Sequence, residues 1–365
     1  MISLKINALL GEIVKHRAAY GIDSSTERFD ANYTFQAELH ATHVVVGREL
    51  VREILVRPKD FIQADIHAAI TEIDTAGALR HIPYFLESNP IHKNGEDHAR
   101  SRASFIQQFN ALSRELDAPW KNASASAFTE LAAGAFVSPV DFARYCVDGF
   151  IECVIDRYAD GHVAGEFVRA IKPSSKSIFG FFHSKNRLAA EETALSELLG
   201  RIHLREAYDH DDVMPIILSF LVQGRDPMVG SLAAFINHIG RFAPEERLAA
   251  IADADARQVF EMAAAVNYIG RIARVDAQVG PVKIRADDRI VLILPPVGEG
   301  DAHDAQRLDL SFGVGPHRCA GKAIAYQLLD IWLANFKRLA STLPLDSFAQ
   351  DLRKSGVFEE YKVAI

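Results

Sequence analysis

A cysteine binds metal as its thiolate, and the residues around Cys319 are of the kind that favour that form. In the stretch LSFGVGPHRCAGKAIAYQLLDIWLANF a glycine-rich loop runs into Cys319 and then into a long amphipathic helix that starts near Gly321. The positive end of that helix, the free loop amides and the neighbouring Arg318 are expected to lower the thiol's pKa. Gly313 and Gly315 add no side chain, so the backbone is expected to lie flat against a planar ligand. Far upstream, GEDHARSRASF sets His98 and Arg102 four residues apart, on one face of a helix. Alone, such a pair is a solvated helix face; beside a metal-binding thiol, two donor groups on one face suit a pair of carboxylates.

The elements that must position these residues are mostly helices. THVVVGRELVREILVRPKDF, from Thr42 to Phe61, starts with β-branched residues and passes into helical spacing that ends before Pro58, which predicts a strand leading into a helix. Helical spacing also covers 103–116, 140–159, 187–204, 211–241 and 256–272. Strand-like alternation is confined to the Val44 region, to VGPVKIRADDRIVLIL over 279–294 around a polar turn at Asp287 and Asp288, and to the C-terminal KVAI. No internal repeat or Gly/Ser linker interrupts the chain. The expectation is one mainly α domain over residues 1–365 with a small lateral β-sheet.

Composition removes several function classes. The 365 residues carry 40 Lys plus Arg against 48 Asp plus Glu, a formal charge of -8, so the basic excess that a nucleic-acid partner requires is missing. Three cysteines, Cys146, Cys153 and Cys319, are too few and too scattered for a disulfide framework or a four-thiolate zinc site. The first 17 residues lack the apolar core of a secretion signal, and the longest apolar run, Val213 to Val222, is about half of a membrane span. No membrane and a cytoplasmic location are therefore expected.

The pattern Phe312-Gly313-x-Gly315-x-His317-x-Cys319-x-Gly321 resembles the heme-binding signature of the cytochrome P-450 superfamily. That resemblance implies heme b as cofactor, Cys319 as the metal ligand, His317 as a partner of a heme propionate and Phe312 as a packing neighbour of the sulfur. It implies the same propionate role for His98 and Arg102, with Asp97 and Arg100 in similar context, and for Arg271 in RIARVDAQVGPVKIRADDRIVLIL, which resembles the family's small sheet. The similarity runs from about residue 42 to the end, and places heme between the long central helix and the Cys319 loop.

Two departures from the family stand out. Where members that activate oxygen carry an acid and an alcohol over the heme, this chain reads FLVQGRDPMVGSL: Asp226 keeps the acid, after Gly224, but Pro227 stands at the threonine position. Proline has neither a hydroxyl nor an amide proton and should kink the helix, freeing the Gln223 carbonyl. Arg225 and Asp226 read either as a polar pair facing the pocket or as a solvent-side salt bridge. The family's Glu-x-x-Arg pair has no match in FEMAAAVNYIGRIARV, where Glu261, Asn267 and Tyr268 are partial substitutes or plain helix surface.

The resemblance thus implies an oxidoreductase of the monooxygenase type that oxidises a small organic molecule in specialised metabolism, with a ferredoxin or flavodoxin-type electron donor docking near Arg318, Lys322, Lys337 and Arg338. The alternatives are a peroxide-dependent or non-redox heme-thiolate enzyme, an isomerase or dehydratase, or a non-catalytic interaction module of the same fold. Candidate pocket walls are Ala76 to Leu86, Ile178 to Phe182 and Ile216 to Val229.

Overall fold

The structure is a computed structural model that describes residues 33–36, 42–63, 70, 74, 77–136, 138–161, 165–170, 185–240, 242–262, 268–294 and 310–343. Ile178 to Phe182, Asn267 and the KVAI segment lie outside these residues, as does part of the Ala76 to Leu86 wall.

In chain order the elements are β1 (Tyr33–Gln36), β2 (Thr42–Val46), α1 (Arg48–Leu55), β3 (Phe61–Ile62), α2 (His81–Ser88), α3 (Gly95–Glu115), α4 (Asp117–Ala132), α5 (Pro139–Tyr158), α6 (Gly165–Ala170), α7 (Lys185–Leu199) and α8 (His210–Leu218). A π-helical segment, Ser219–Gly224, then joins α8 to α9 (Arg225–Ile239). They are followed by α10 (Pro244–Asp253), α11 (Ala256–Met262), β4 (Tyr268–Ala273), β5 (Ala277–Val279), β6 (Val282–Ile284), β7 (Arg289–Ile293) and α12 (Lys322–Leu339). The mainly α architecture with a small sheet is thus as expected.

Local sequence explains two of the helix starts. Ser138 caps α5 by accepting from the Asp141 amide at 3.1 Å, with Pro139 at the first helical position where its missing N–H costs nothing. Asp209 caps α8 in the same way, accepting from the Asp211 amide at 2.8 Å. The helix expected over 256–272 instead ends at Met262, and Tyr268–Ala273 is a strand. Its Tyr, Ile and Ile residues suit a pleated surface, Gly270 weakens helix, and pairing with β7 on one side and β3 on the other decides the outcome. Helix α4 is Ala- and Ser-rich with a weak apolar face, which is why spacing alone does not reveal it.

The sheet has strand order β1-β2-β7-β4-β3, with β2 and β7 parallel and the other neighbours antiparallel. A separate hairpin pairs β5 with β6. The polar turn expected at Asp287 and Asp288 therefore separates two sheets rather than two strands of one. A smaller apolar cluster beneath the sheet includes Val45, Val51, Ile54, Ile290 and Leu292.

The main core lies among the helices, where Trp332 of α12 stacks on Phe336 at 4.7 Å and meets Phe128, Phe142 and Phe235 at edge or tilted angles. Into this core α5 and α9 bring a charge pair: Arg225 donates to Asp148 through Nε at 2.6 Å and Nη2 at 2.9 Å. The two side chains are 2% and 0% exposed. Neither sequence reading of Arg225 holds, because its partner is Asp148 on a neighbouring helix and not Asp226. The pair sets the rotation of α9 about its axis, which fixes the face on which Phe220, Gln223, Gly224 and Pro227 stand. Breaking a buried ion pair leaves an uncompensated charge. Asp148→Ala is expected to cost about 3–5 kcal/mol in urea unfolding, and replacing both residues (Asp148→Leu with Arg225→Met) to recover most of it.

Candidate active site

The Cys319 loop is held by three backbone bonds: Gly313 N–H to Leu310 O at 2.8 Å, Arg318 N–H to Gly315 O at 3.2 Å and Cys319 N–H to Phe312 O at 2.8 Å. Such a tight path needs left-handed residues, and Gly313 and Gly315 supply them with φ of 66° and 76°. At Gly315 a side chain would also collide with α1, since a Cβ would sit 2.4 Å from the Leu55 carbonyl oxygen. The expectation for this glycine is therefore corrected: its bare face seats the loop on the end of α1 and is not an open surface for a ligand.

Cys319 ends up surrounded by protein yet reachable by solvent, which is the situation of a group on the floor of a cleft. Burial pushes its thiol pKa up, and the Gly321 and Lys322 amides with the Arg102 and Lys322 charges offset this only in part. The expected spontaneous thiolate is thus not produced by the protein's own field. The helix end and a cation do act as foreseen, but the main side-chain cation is Arg102 and not Arg318. A metal cation bound at the sulfur would favour the thiolate against that desolvation.

Phe312 supplies the carbonyl that holds the Cys319 amide, while its ring packs on Phe260 at 4.9 Å and Tyr326 at 5.4 Å. Lys322 covers that aromatic group with its ammonium 5.3 Å from the Phe312 ring. Gly321 caps α12, and a Cβ there would lie 3.9 Å from Cys319 Sγ and 3.8 Å from Phe109 Cε2, so both the thiol and the Phe109 ring border this glycine. Phe109 in turn meets Phe220 of the π segment edge-on at 5.7 Å. This aromatic bridge links the Cys319 loop to the helix that carries Gly224, Asp226 and Pro227. Its first member shares the His98 and Arg102 face at helical spacing (98, 102, 105, 109), a signal present in the sequence.

The structure brings His98, Arg102, Arg271 and His317 together. The His98 and His317 rings lie 3.9 Å apart at 31°. His317 is pushed down to about 3 by burial first and then by His98, Arg271 and Arg102, so its imidazole is neutral. His98 is lowered by burial and by Arg102. Burial alone brings Arg271 down to about 10, and Arg102 is lowered by burial and by the adjacent Arg318. Arg271 donates to Gln63 Oε1 at 3.0 Å and to the Gly270 carbonyl at 2.7 Å. Among the described residues no carboxylate pairs with Arg102, Arg271 or Arg318, and the buried Nδ1 of His317 has no partner. Arg318 thus disfavours the charge on Arg102, Arg102 that on His98, and His98, Arg271 and Arg102 together that on His317; an anion would relieve all of these.

These features fit a planar dicarboxylate that carries a metal: a thiol on the cleft floor, and beside it donors and cations without counter-charge. Asp226 is buried and partnered, Pro227 is partly open, and Gly224 ends the π segment. Pro227 lies just past a run of π-helix rather than at a simple kink, a common way to accommodate an interrupted backbone ladder near a site. The residues expected to form a basic docking patch are spread along α12. Lys322 opens α12 while Lys337 and Arg338 lie in its last turn, about four turns away.

Arg102 is a half-buried cation without a counter-charge, and exchanging it for an apolar residue relieves part of the desolvation penalty. Arg102→Met is expected to raise the unfolding midpoint of the ligand-free protein and to weaken binding of protoporphyrin IX, titrated by fluorescence quenching, about tenfold or more. Loss of stability with unchanged binding would contradict this account of the cluster. Gly315→Ala is expected to destabilise the protein by about 1–3 kcal/mol in the same unfolding assay, because the residue is held in a left-handed conformation against a backbone carbonyl.

No protein-family model matches the chain, and no curated protein matches it. Solved structures do. P450BioI, determined in complex with an acyl carrier protein ligated to hexadec-9Z-enoic acid, aligns with a TM-score of 0.69 at 14% identity over 89% of this chain and 91% of that one. HmtT, involved in himastatin biosynthesis, aligns at 0.63 with 16% identity over 84% and 87%. TxtC, which carries out sequential thaxtomin hydroxylation, aligns at 0.61 with 18% identity over 88% and 91%. By these alignments over most of both chains, the chain has the fold of the cytochromes P450.

Proposed function

We propose that this chain is a heme-thiolate oxidoreductase that oxidises a small organic molecule, with Cys319 as the iron ligand and His98, Arg102, Arg271 and His317 as the partners of the heme propionates. The observation that carries this reading is the uncompensated group of donors and cations beside a thiol on the floor of a cleft. A thiolate-bound heme supplies oxidising chemistry by favouring cleavage of an O–O bond. The chain's own residues hold and shield it. Gly313 and Gly315 shape the loop, the Cys319 amide is tied to Phe312, and the edge-on Phe109 and Phe220 rings add apolar surface beside Gly321. The class of substrate follows the similar structures, of which two concern specialised metabolites and one a carrier-bound fatty acid.

One observation favours a second reading. Pro227 brings neither a hydroxyl nor an N–H to the open side of the central helix, so protons do not reach that point from residue 227. A heme-thiolate enzyme that uses peroxide, or that rearranges or dehydrates its substrate, has no need of such a donor. With a ferredoxin-type donor and dioxygen, the wild type is expected to release most of the oxygen it consumes as hydrogen peroxide, and Pro227→Thr to lower that fraction. An unchanged fraction removes residue 227 from the mechanism.

A further inference from the structure

Along the central helix, Phe220, Gln223, Gly224 and Pro227 are half-buried while Ser219, Leu221, Val222, Arg225, Asp226 and Met228 are buried. This stripe faces the Cys319 side of the protein, since Phe220 meets Phe109, whose ring borders Gly321 two residues after Cys319. Gln223 is the one residue of the stripe with a polar side chain, and its orientation is fixed from the far end of α2.

The residue that fixes it is Asn89, only 1% exposed, directly after α2. Its Oδ1 accepts from the Ile91 amide at 3.0 Å, so its Nδ2 must be the donor in its other two bonds, to Ser219 Oγ at 2.8 Å and to Gln223 Oε1 at 3.2 Å. Ser219 spends its one hydroxyl proton on the Pro215 carbonyl at 2.6 Å and can only accept from Asn89. Turning the Gln223 amide over would set two NH2 groups against each other. Gln223 therefore presents Nε2 as a donor in one fixed direction, and that nitrogen is buried with no partner. A buried amide donor without an acceptor costs about 1–3 kcal/mol, so an arrangement that enforces it calls for an acceptor from outside the chain.

We propose, resting on the heme reading above, that Gln223 Nε2 is the hydrogen-bond donor for the outer atom of a diatomic ligand held in the cleft, the place that Pro227 leaves without a donor, and that Asn89 is its positioning residue. The amide side chain four residues earlier, close to one helical turn, takes over what a hydroxyl at residue 227 would supply. The π segment sets Ser219 and Gln223 where one Asn89 side chain reaches both.

The test is the infrared C–O stretch of carbon monoxide bound to the reduced, heme-loaded protein, which falls when a donor points at the oxygen. Gln223→Leu, close in shape, is expected to move the band to higher wavenumber at unchanged heme content. Asn89→Ala is expected to split or broaden it, because Gln223 keeps its donor and loses its fixed direction. If both variants keep the wild-type band the donor role is overturned while the heme reading stands. If the wild type retains no heme and gives no carbon monoxide complex, the heme reading falls and this proposal with it.

Discussion

The constraint on which the site depends is the seating of the Cys319 loop. A thiol at the floor of a cleft must be held there by backbone, since its own side chain has one short rotor. Three hydrogen bonds, two left-handed glycines and contact with the Leu55 carbonyl do this, and the contact joins the loop to the sheet-side cluster through α1. Helix α12, into which the loop runs, is anchored in the other apolar cluster by Ile324 and Leu328 near its start and by Trp332 and Phe336 further along. The loop is thus gripped between the two apolar clusters of the protein, and the position of Sγ follows from both.

Electrostatics complete the picture because they do not balance. Natural cores pair their buried charges, as Arg225 and Asp148 do here at 2.6 Å. Near Cys319 the opposite holds: arginines from α3, β4 and the loop itself converge with two close imidazoles, and His317 is lowered by three of these neighbours at once. Burial dominates each shift, so the cost grows if the site is closed without an anion. A cofactor with two carboxylates and a metal cation, as proposed here, would answer both imbalances, the positive cluster and the reluctant thiol.

Much of this was legible in the sequence. The glycine and cysteine spacing placed the loop, the four-residue spacing of His98 and Arg102 placed the cluster's first half, and β-branched runs located β2 and β7. What was hidden has physical reasons. Strand β4 carries helix-compatible spacing and becomes a strand through pairing with two neighbours. Asp148 lies 77 positions from Arg225, and no local pattern marks a partner so distant. The roles of Gly315, Asn89 and Gln223 depend on contacts with α1, the π segment and each other, which arise only once the helices are packed. The thiol's raised pKa was missed because spacing shows the helix end and the cations, whereas desolvation is a property of the assembled cleft.

The central claim is that Cys319 binds heme iron as a thiolate, and it is tested most directly by the absorption spectrum of the heme-replete protein, reduced with dithionite under carbon monoxide, beside Cys319→Ala. The account predicts a red-shifted Soret band that vanishes in the variant. A wild-type spectrum without the thiolate shift, or a shifted band that survives loss of the sulfur, would contradict it.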